Sequence, residues 1–304
     1  MTDDRRTRWV GWLQLLRLPN LPTVPGDPLA GALLAAAAAG QTVSARAAIG
    51  VALAALFLYM AGLALNGLHD LPDDRLHRPE RPLPRGVVSV PSARLAFVLL
   101  AALGVGAAAS VGRPAVLASL GLLALICLYN LRAKACPHSA CLVMGLCRGA
   151  SMMLGAVALG QAGAALLPAV ALTLYIGAVT WLSRREDETQ RPGAYVLLPP
   201  VAILGGCGAA WLTLGATVDL MSLAALACAG LAAGLAAQAS LALFRRQVAS
   251  AAARAAVGRF IRLLLPWQAA LLLLGGTTAA GAIALALLAA WPLARVLSRR
   301  FSAS

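Results

Sequence analysis

Apolar runs of about 20 residues recur along this 304-residue chain, and no other feature narrows its fold as much. A helical run of that length crosses a hydrocarbon core of roughly 30 Å. In lipid, only helices and closed barrels can satisfy their own backbone hydrogen bonds. Ten spans are predicted, at 22–40, 45–66, 92–112, 114–131, 140–160, 163–182, 195–216, 219–244, 257–275 and 276–297. The last two meet at Gly275-Gly276, which is either a turn or a bend in one long helix, so the count is nine or ten. With 61% hydrophobic and 12% charged residues, the composition is not that of a soluble domain. The fold class expected is all-α: a polytopic integral membrane helical bundle formed as one unit over 1–304. Residues 1–21 form an N-terminal segment at the membrane surface, in which Trp9 to Leu18 suits a short interfacial helix.

The net charge of +14 would fit a nucleic-acid binder, but the positive residues sit at the ends of apolar runs and no soluble basic domain presents them. No nucleic-acid partner is expected. Alternating the spans from a cytoplasmic N-terminus puts all but three of the 25 Lys and Arg at or near cytoplasmic ends. The exceptions are Arg46 and Arg113 on the other face and Arg148 within a span. This is the positive-inside pattern. It predicts a protein of the bacterial cytoplasmic membrane, with the loops at 66–86, 132–138, 184–192 and 245–256 on the cytoplasmic side. Six cysteines form no Cys-x-x-Cys pair, so neither a redox compartment nor a zinc site follows.

The second span runs directly into the densest cluster of charge in the chain, Asn66 to Gly86. Asn66, Asp70 and Asp74 are spaced i, i+4, i+8, which on a continuing helix lines up one amide and two carboxylates in one stripe. Such oxygen donors suit Mg²⁺, which takes one or two carboxylates and completes its shell with phosphate oxygens. Arg75, Arg78, Arg81 and Arg85 lie beside them, and guanidinium groups suit phosphate. Pro72 is expected to bend or end the helix between the two aspartates. Both carboxylates are expected at the membrane surface, with little part in helix packing.

This stretch resembles the first motif of the UbiA superfamily of intramembrane prenyltransferases, Asn-x-x-x-Asp-x-x-x-Asp followed by Arg-Pro-(Asp/Glu)-Arg-Pro and a Gly. Asn66, Asp70, Asp74, Arg78, Pro79, Glu80, Arg81, Pro82 and Gly86 stand at the matching places. Many members carry an Asp directly after the Asn, where this chain has Gly67. Tyr129-Asn130-Leu131-Arg132-Ala133-Lys134 resembles the Tyr-x-x-x-Lys element of these enzymes, with one residue added before the lysine. Cys147-Arg148-Gly149, followed by Leu154-Gly155, is similar to the EboC-type subgroup. The second acidic motif is incomplete. Ser183, Arg184 and Arg185 occupy places where acids would be expected, and Glu186, Asp187 and Glu188 follow. Those acids either reach a metal or form a solvated loop with the neighbouring arginines.

The resemblance implies a Mg²⁺-dependent transfer of a polyprenyl group from a prenyl diphosphate to a lipid-soluble acceptor, inside a cavity open to the cytoplasmic leaflet. Asp70 and Asp74 would hold Mg²⁺, joined by Glu186 and Asp187 if the second motif contributes. Asn66, Arg78, Lys134 and Arg148 would bind the diphosphate, with Arg132, Arg184 and Arg185 as further candidates. Asn20, Asp27 and Tyr129 are candidates for the cavity wall. A charged side chain at mid-membrane is unfavourable by about 2.5–3.5 kcal/mol on insertion scales, so Arg148 is expected to face an anion, either Asp27 or the substrate. The alternative is a non-catalytic binder or carrier of a prenylated or lipid-like metabolite on the same scaffold.

The span alternation has a direct test. In a background free of native cysteines, single cysteines at Arg85 or Arg191 are expected to react with impermeant thiol reagents from the cytoplasmic side alone. A cysteine at Arg113 is expected to react from the opposite side, and labelling of Arg85 and Arg113 from one face would overturn the alternation.

Overall fold

Three prolines (22, 25 and 28) crowd the start of the first predicted span and Pro19 stands just before it, and the computed structural model, which describes residues 2–186 and 188–300, shows their effect. Proline removes a backbone donor and disfavours helix in the residue before it. The span at 22–40 is accordingly broken. A six-residue 3-10 segment, Leu18–Thr23, precedes a helix of only 13 residues, Gly26–Ala38 (α2). At about 2.0 Å per residue for the first and about 1.5 Å for the second, the two together reach roughly 30 Å. Ahead of them lies α1 (Thr2–Leu15), and Arg17 between them adopts a left-handed conformation, φ 46°.

The remaining helices are α3 (Ala45–His77), α4 (Val90–Ala109), α5 (Arg113–Leu131), α6 (Pro137–Ala158), α7 (Ala162–Ser183), α8 (Leu198–Leu214), α9 (Leu220–Leu243), α10 (Ser250–Leu273) and α11 (Thr278–Arg300). Among the described residues these nine, α8 together with the 3-10 turn Ala194–Leu197 before it, are long and apolar enough to cross a membrane, and no strand forms beyond one isolated bridge between Gln190 and Val248. The Gly275-Gly276 question resolves as a turn, with Gly276 at φ +68° between α10 and α11. The expected ten crossings therefore become nine full-length helices and one broken segment. Side chains cap several starts: Ser44 accepts from the Ala47 N–H, and Asp219 forms a reciprocal capping box with Ser222. Hydrogen bonds from Ser222, backbone first and then hydroxyl, hold the Asp219 carboxyl below its ordinary range.

Consecutive helices pack side by side, and α2 sits at the centre, touching α3, α6, α7, α8 and α10. Its residues Gly26 to Ala36 are all buried. Small residues permit this depth, because without a hydrophobic drive in lipid, helices associate through close backbone approach. A Cβ on Gly31 would lie 2.0 Å from the Met152 carbonyl oxygen, and one on Gly155 would lie 1.8 Å from that of Pro28. Gly145 and Gly149 similarly press α6 onto Thr173 and Ala169 of α7, whereas Gly230 and Gly234 meet nothing within 4 Å. Only the first of the two Gly-x-x-x-Gly pairs is therefore a packing contact. On the far side of α7 a tyrosine closes the core: the Tyr175 hydroxyl donates to the Phe260 carbonyl at 2.7 Å, next to buried Trp267.

The 33-residue α3 is about 50 Å long at 1.5 Å per residue, more than a bilayer core needs. Its last three turns, Asn66 to His77, project beyond the apolar bundle. Pro72 does not end the helix, contrary to the expectation, because α3 runs through it to His77. A small apolar cluster packs around this projecting part: Trp12 and Leu15 of α1 with Leu68, Leu71, Leu83 and Val88.

Overpacking a tight site typically destabilises by about 1–3 kcal/mol, while Gly→Ala on an open helix face stabilises by up to about 1 kcal/mol. Gly155→Ala is thus expected to lower the thermal midpoint of the detergent-solubilised protein, and Gly234→Ala to hold or raise it. Equal effects of the two would contradict the α2–α6 contact.

Candidate active site

Three stretches far apart in sequence meet at the projecting end of α3. The Asn66 amide donates to Asp70 Oδ2 at 3.1 Å one turn further on. Lys134 donates to Asn66 Oδ1 at 3.0 Å and also to Asp70 Oδ2. The lysine stands in a short 3-10 turn, Ala133–Ala135, between α5 and α6. Ser139 of α6 fastens this turn by donating to the carbonyls of Ala133 (2.8 Å) and Cys136 (3.1 Å). The end of α7 joins through Arg184, whose guanidinium donates to the Lys134 carbonyl at 3.1 Å. The Tyr129 hydroxyl lies within electrostatic reach of Asp70, Arg17 and Arg184. The neighbouring Cys136 thiol is exposed and held down at about 7, first by the Ser139 backbone N–H and then by that of His138.

Asp74 plays a different part from the one its spacing suggests. It is 4% exposed, and both its oxygens accept from Arg81 Nη1 at 2.9 Å. The backbone N–H of Arg78 caps the helix on the Asp74 carbonyl, and the turn continues from Arg81 to the Arg78 carbonyl. Asp74 thus folds the Arg78–Gly86 segment back over the helix end, where Leu83 and Val88 reach the α1 cluster. The expectation that both carboxylates stand apart from packing fails for Asp74, and Asp70 is itself paired across to Lys134 with its side chain only 16% exposed. Gly67 is also explained: a Cβ there would lie 2.7 Å from Leu15 Cδ1 and 2.9 Å from Leu83 Cδ1. Two leucines occupy the room in which an aspartate would start.

Arg148 was expected among the diphosphate ligands, and the structure places it elsewhere. Its Nε lies 2.9 Å from Asp27 Oδ2, and its Nη2 donates to the Thr23 carbonyl at 2.9 Å. Gln268 of α10 completes the cluster, donating to Asp27 Oδ1 at 2.6 Å and to the Thr23 carbonyl at 2.7 Å. Asp27 is fully buried, so it is enclosed by these partners and not open to a cavity. Sequence reasoning missed Gln268 and the clamping role of Arg81. A lone amide in the apolar run Leu263 to Leu274 was the available signal for the first.

Arg185 reaches Glu188 at 3.5 Å, both side chains about two-thirds exposed, so Arg185 is paired within its own loop. Glu186 is half-buried, and Asp187 lies outside the described residues. Arg132 is exposed where α5 ends, and Asn20 sits half-buried in the 3-10 segment, its carbonyl accepting from the Thr23 hydroxyl at 2.8 Å.

Whether these residues suit a metal follows from the donors. Among the described residues no group of three or more Asp, Glu, His or Cys side chains is placed to hold a metal ion. Asp70 with the amide oxygen of Asn66 offers hard oxygen donors at an accessible helix end. That set suits Mg²⁺ completed by phosphate oxygens. Both oxygens of Asp74 already accept from Arg81, so a metal there would share the carboxylate with that guanidinium.

A membrane bundle that gathers a carboxylate, an amide and several cations at one helix end is suited to binding an oxyanion together with a divalent cation. Residues 28–264 match the model of the UbiA prenyltransferase family, and the chain belongs to that family. It is 33% identical over 105 residues to the digeranylgeranylglyceryl phosphate synthase of Pyrococcus abyssi, a match covering 34% of this chain and 38% of that protein. The match therefore spans well under two-thirds of that relative. A solved structure described as digeranylgeranylglyceryl phosphate synthase in membranes superposes with a TM-score of 0.58 at 17% identity, over 91% of this chain and 99% of that one. A UbiA homologue from Archaeoglobus fulgidus bound to GPP and Mg²⁺ gives 0.56 at 16% identity, over 86% and 99%. At those identities the likeness is one of fold.

Breaking a buried ion pair by removing one partner costs roughly 3 kcal/mol or more. Asp74→Asn is therefore expected to lower the thermal midpoint more than Asp70→Asn, whose ion pair with Lys134 is less buried. Equal midpoints for the two variants would refute the clamp.

Proposed function

We propose that this protein transfers a polyprenyl group from a prenyl diphosphate to a lipid-soluble acceptor, with the site on the cytoplasmic side of the membrane. The observation that carries the reading is the convergence of Lys134 with Asn66 and Asp70 across 68 and 64 residues of sequence. Family membership and the fold likeness to a homologue bound to GPP and Mg²⁺ support it. The name of the Pyrococcus relative suggests a prenylated glyceryl phosphate as one acceptor to test.

The chemistry needs a leaving group made stable and a carbon kept dry. The allylic C–O bond breaks with its electron pair on the diphosphate oxygen, the acceptor's nucleophilic atom bonds to the allylic carbon, and the acceptor's proton passes to the released diphosphate or to water. Lys134 would donate to the departing diphosphate, and Arg184, anchored on the Lys134 carbonyl, would keep that turn in place. Held by Asp70 and Asn66, Mg²⁺ would supply further neutralisation of the diphosphate charge. Preorganised donors aimed at developing charge lower such barriers more than any general base could here. Each kcal/mol of leaving-group stabilisation is worth roughly fivefold in rate. Arg148 and Asp27 take no part in this step and hold the first span in position.

Pyrophosphate release by purified protein in nanodiscs, with prenyl diphosphates of increasing chain length and an acceptor panel, tests the reading. Release is expected to depend on Mg²⁺, and Lys134→Met and Asp70→Asn are each expected to lower it by about tenfold to a hundredfold or more. Arg184→Ala is expected to lower it more than Glu186→Ala. Binding of prenyl diphosphate without release under every condition would make the protein a binder on this scaffold.

A further inference from the structure

After Asp219 the chain contains eight arginines and no acidic residue. Three of those arginines come together where α10 and α11 pack. Arg262 lies half-buried along α10: its Nη1 is 3.5 Å from the Ser298 hydroxyl of α11, and a Cβ on Gly258 would stand 3.1 Å from the same nitrogen. Ser298 donates its own proton to the Arg295 carbonyl at 2.9 Å, which leaves its lone pairs for Arg262. Arg259, one turn earlier on α10, and Arg295 on α11 are exposed, and both lie within electrostatic reach of Arg262. Among the described residues none of the three has a carboxylate at ion-pair distance, in contrast to Arg148 with Asp27, Lys134 with Asp70, Arg81 with Asp74 and Arg185 with Glu188.

The positive-inside pattern accounts for arginines at this end of the bundle. It does not account for three of them converging, one half-buried, with no counter-charge. Like charges in a partly desolvated place repel, so the arrangement suits an anion from outside the chain. The flanks of α11 indicate which kind. Pro292, one turn before Arg295 on the same helix face, is exposed, Leu288 a turn further on is half-buried, and the adjacent Val296 is 52% exposed, so apolar surface adjoins the cationic cluster. A ligand that fits both carries a phosphate and hydrocarbon chains together.

We propose that Arg259, Arg262 and Arg295 form a binding site for the phosphate headgroup of an anionic glycerophospholipid, with its acyl chains along the exposed face of α11. Guanidinium forks match phosphate oxygens, and basic pockets between membrane helices bind such headgroups. The site lies outside the Asn66–Asp70–Lys134 cluster, and α11 lies beyond the part of the chain that matches the family model, which ends at residue 264.

The test compares the full-length protein in phosphatidylcholine nanodiscs with and without phosphatidylglycerol, reading the thermal midpoint, and counts retained phosphatidylglycerol by native mass spectrometry. The parent is expected to gain stability from phosphatidylglycerol and to retain it. Arg259→Gln/Arg262→Gln/Arg295→Gln is expected to lose both effects, and exposed Arg295→Gln alone to weaken retention by roughly fivefold. The single variant decides the matter if the triple variant does not fold. Arg94→Gln, a solitary exposed arginine near the start of α4, is expected to behave like the parent. The proposal fails if the arginine variants retain phosphatidylglycerol as the parent does, or if Arg94→Gln loses as much as Arg295→Gln. It also fails if inorganic phosphate added to phosphatidylcholine nanodiscs reproduces the whole shift, which would mark a site for free phosphate.

Discussion

An aspartate and an arginine face each other between α2 and α6, sealed from solvent and shared with a glutamine of α10. The rest of the bundle depends on that contact. The first span cannot form a continuous helix because of its prolines, so it leaves carbonyl groups without helical partners inside an apolar protein. The Thr23 carbonyl accepts from both Arg148 and Gln268, and the Asp27 carboxylate offsets the guanidinium charge. An unpaired group at any of these positions would be strongly unfavourable. Together they turn a broken helix into a fixed central element, against which glycines bring α6 close enough for backbone contact.

The functional end is built on a different principle. There α3 overshoots the apolar bundle, so its polar stripe meets the α5–α6 turn in a region that water and ions can reach. Asp70 and Asp74 look equivalent in the sequence and differ in environment. Asp74 is buried by Arg81 and the α1 cluster and fixes the arginine-rich segment in place. Asp70 remains accessible and is engaged by the lysine. One carboxylate fixes the arginine-rich segment while the other pairs with Lys134, and the glycine between Asn66 and Leu68 gives α1 the room it needs to cover the helix end.

Much of this was legible in the chain. Hydropathy located the helices because the bilayer fixes their length, and the i, i+4 spacing of Asn66 and Asp70 anticipated their contact because helical period places them on one face. Pro72 does not end α3, since proline is tolerated inside a helix whose neighbours support it. The first span misled, since hydropathy is blind to the break that four prolines impose. The partner of Arg148 was narrowed to two anions, and choosing between them required a tertiary contact 121 residues away in sequence. Gln268 and Arg81 were hidden for the same reason: an amide or a guanidinium shows its role only when its partner's position is known.

The central claim is that Asn66, Asp70 and Lys134 form the place where a prenyl diphosphate binds. It is tested most directly by determining the structure with a non-cleavable prenyl thiodiphosphate and Mn²⁺, located by its anomalous scattering. The account predicts a Mn²⁺ peak at coordination distance from Asp70 and from the diphosphate, with Lys134 donating to a phosphate oxygen. A diphosphate bound at the Asp27–Arg148 pair, or a metal peak remote from Asp70, would contradict it.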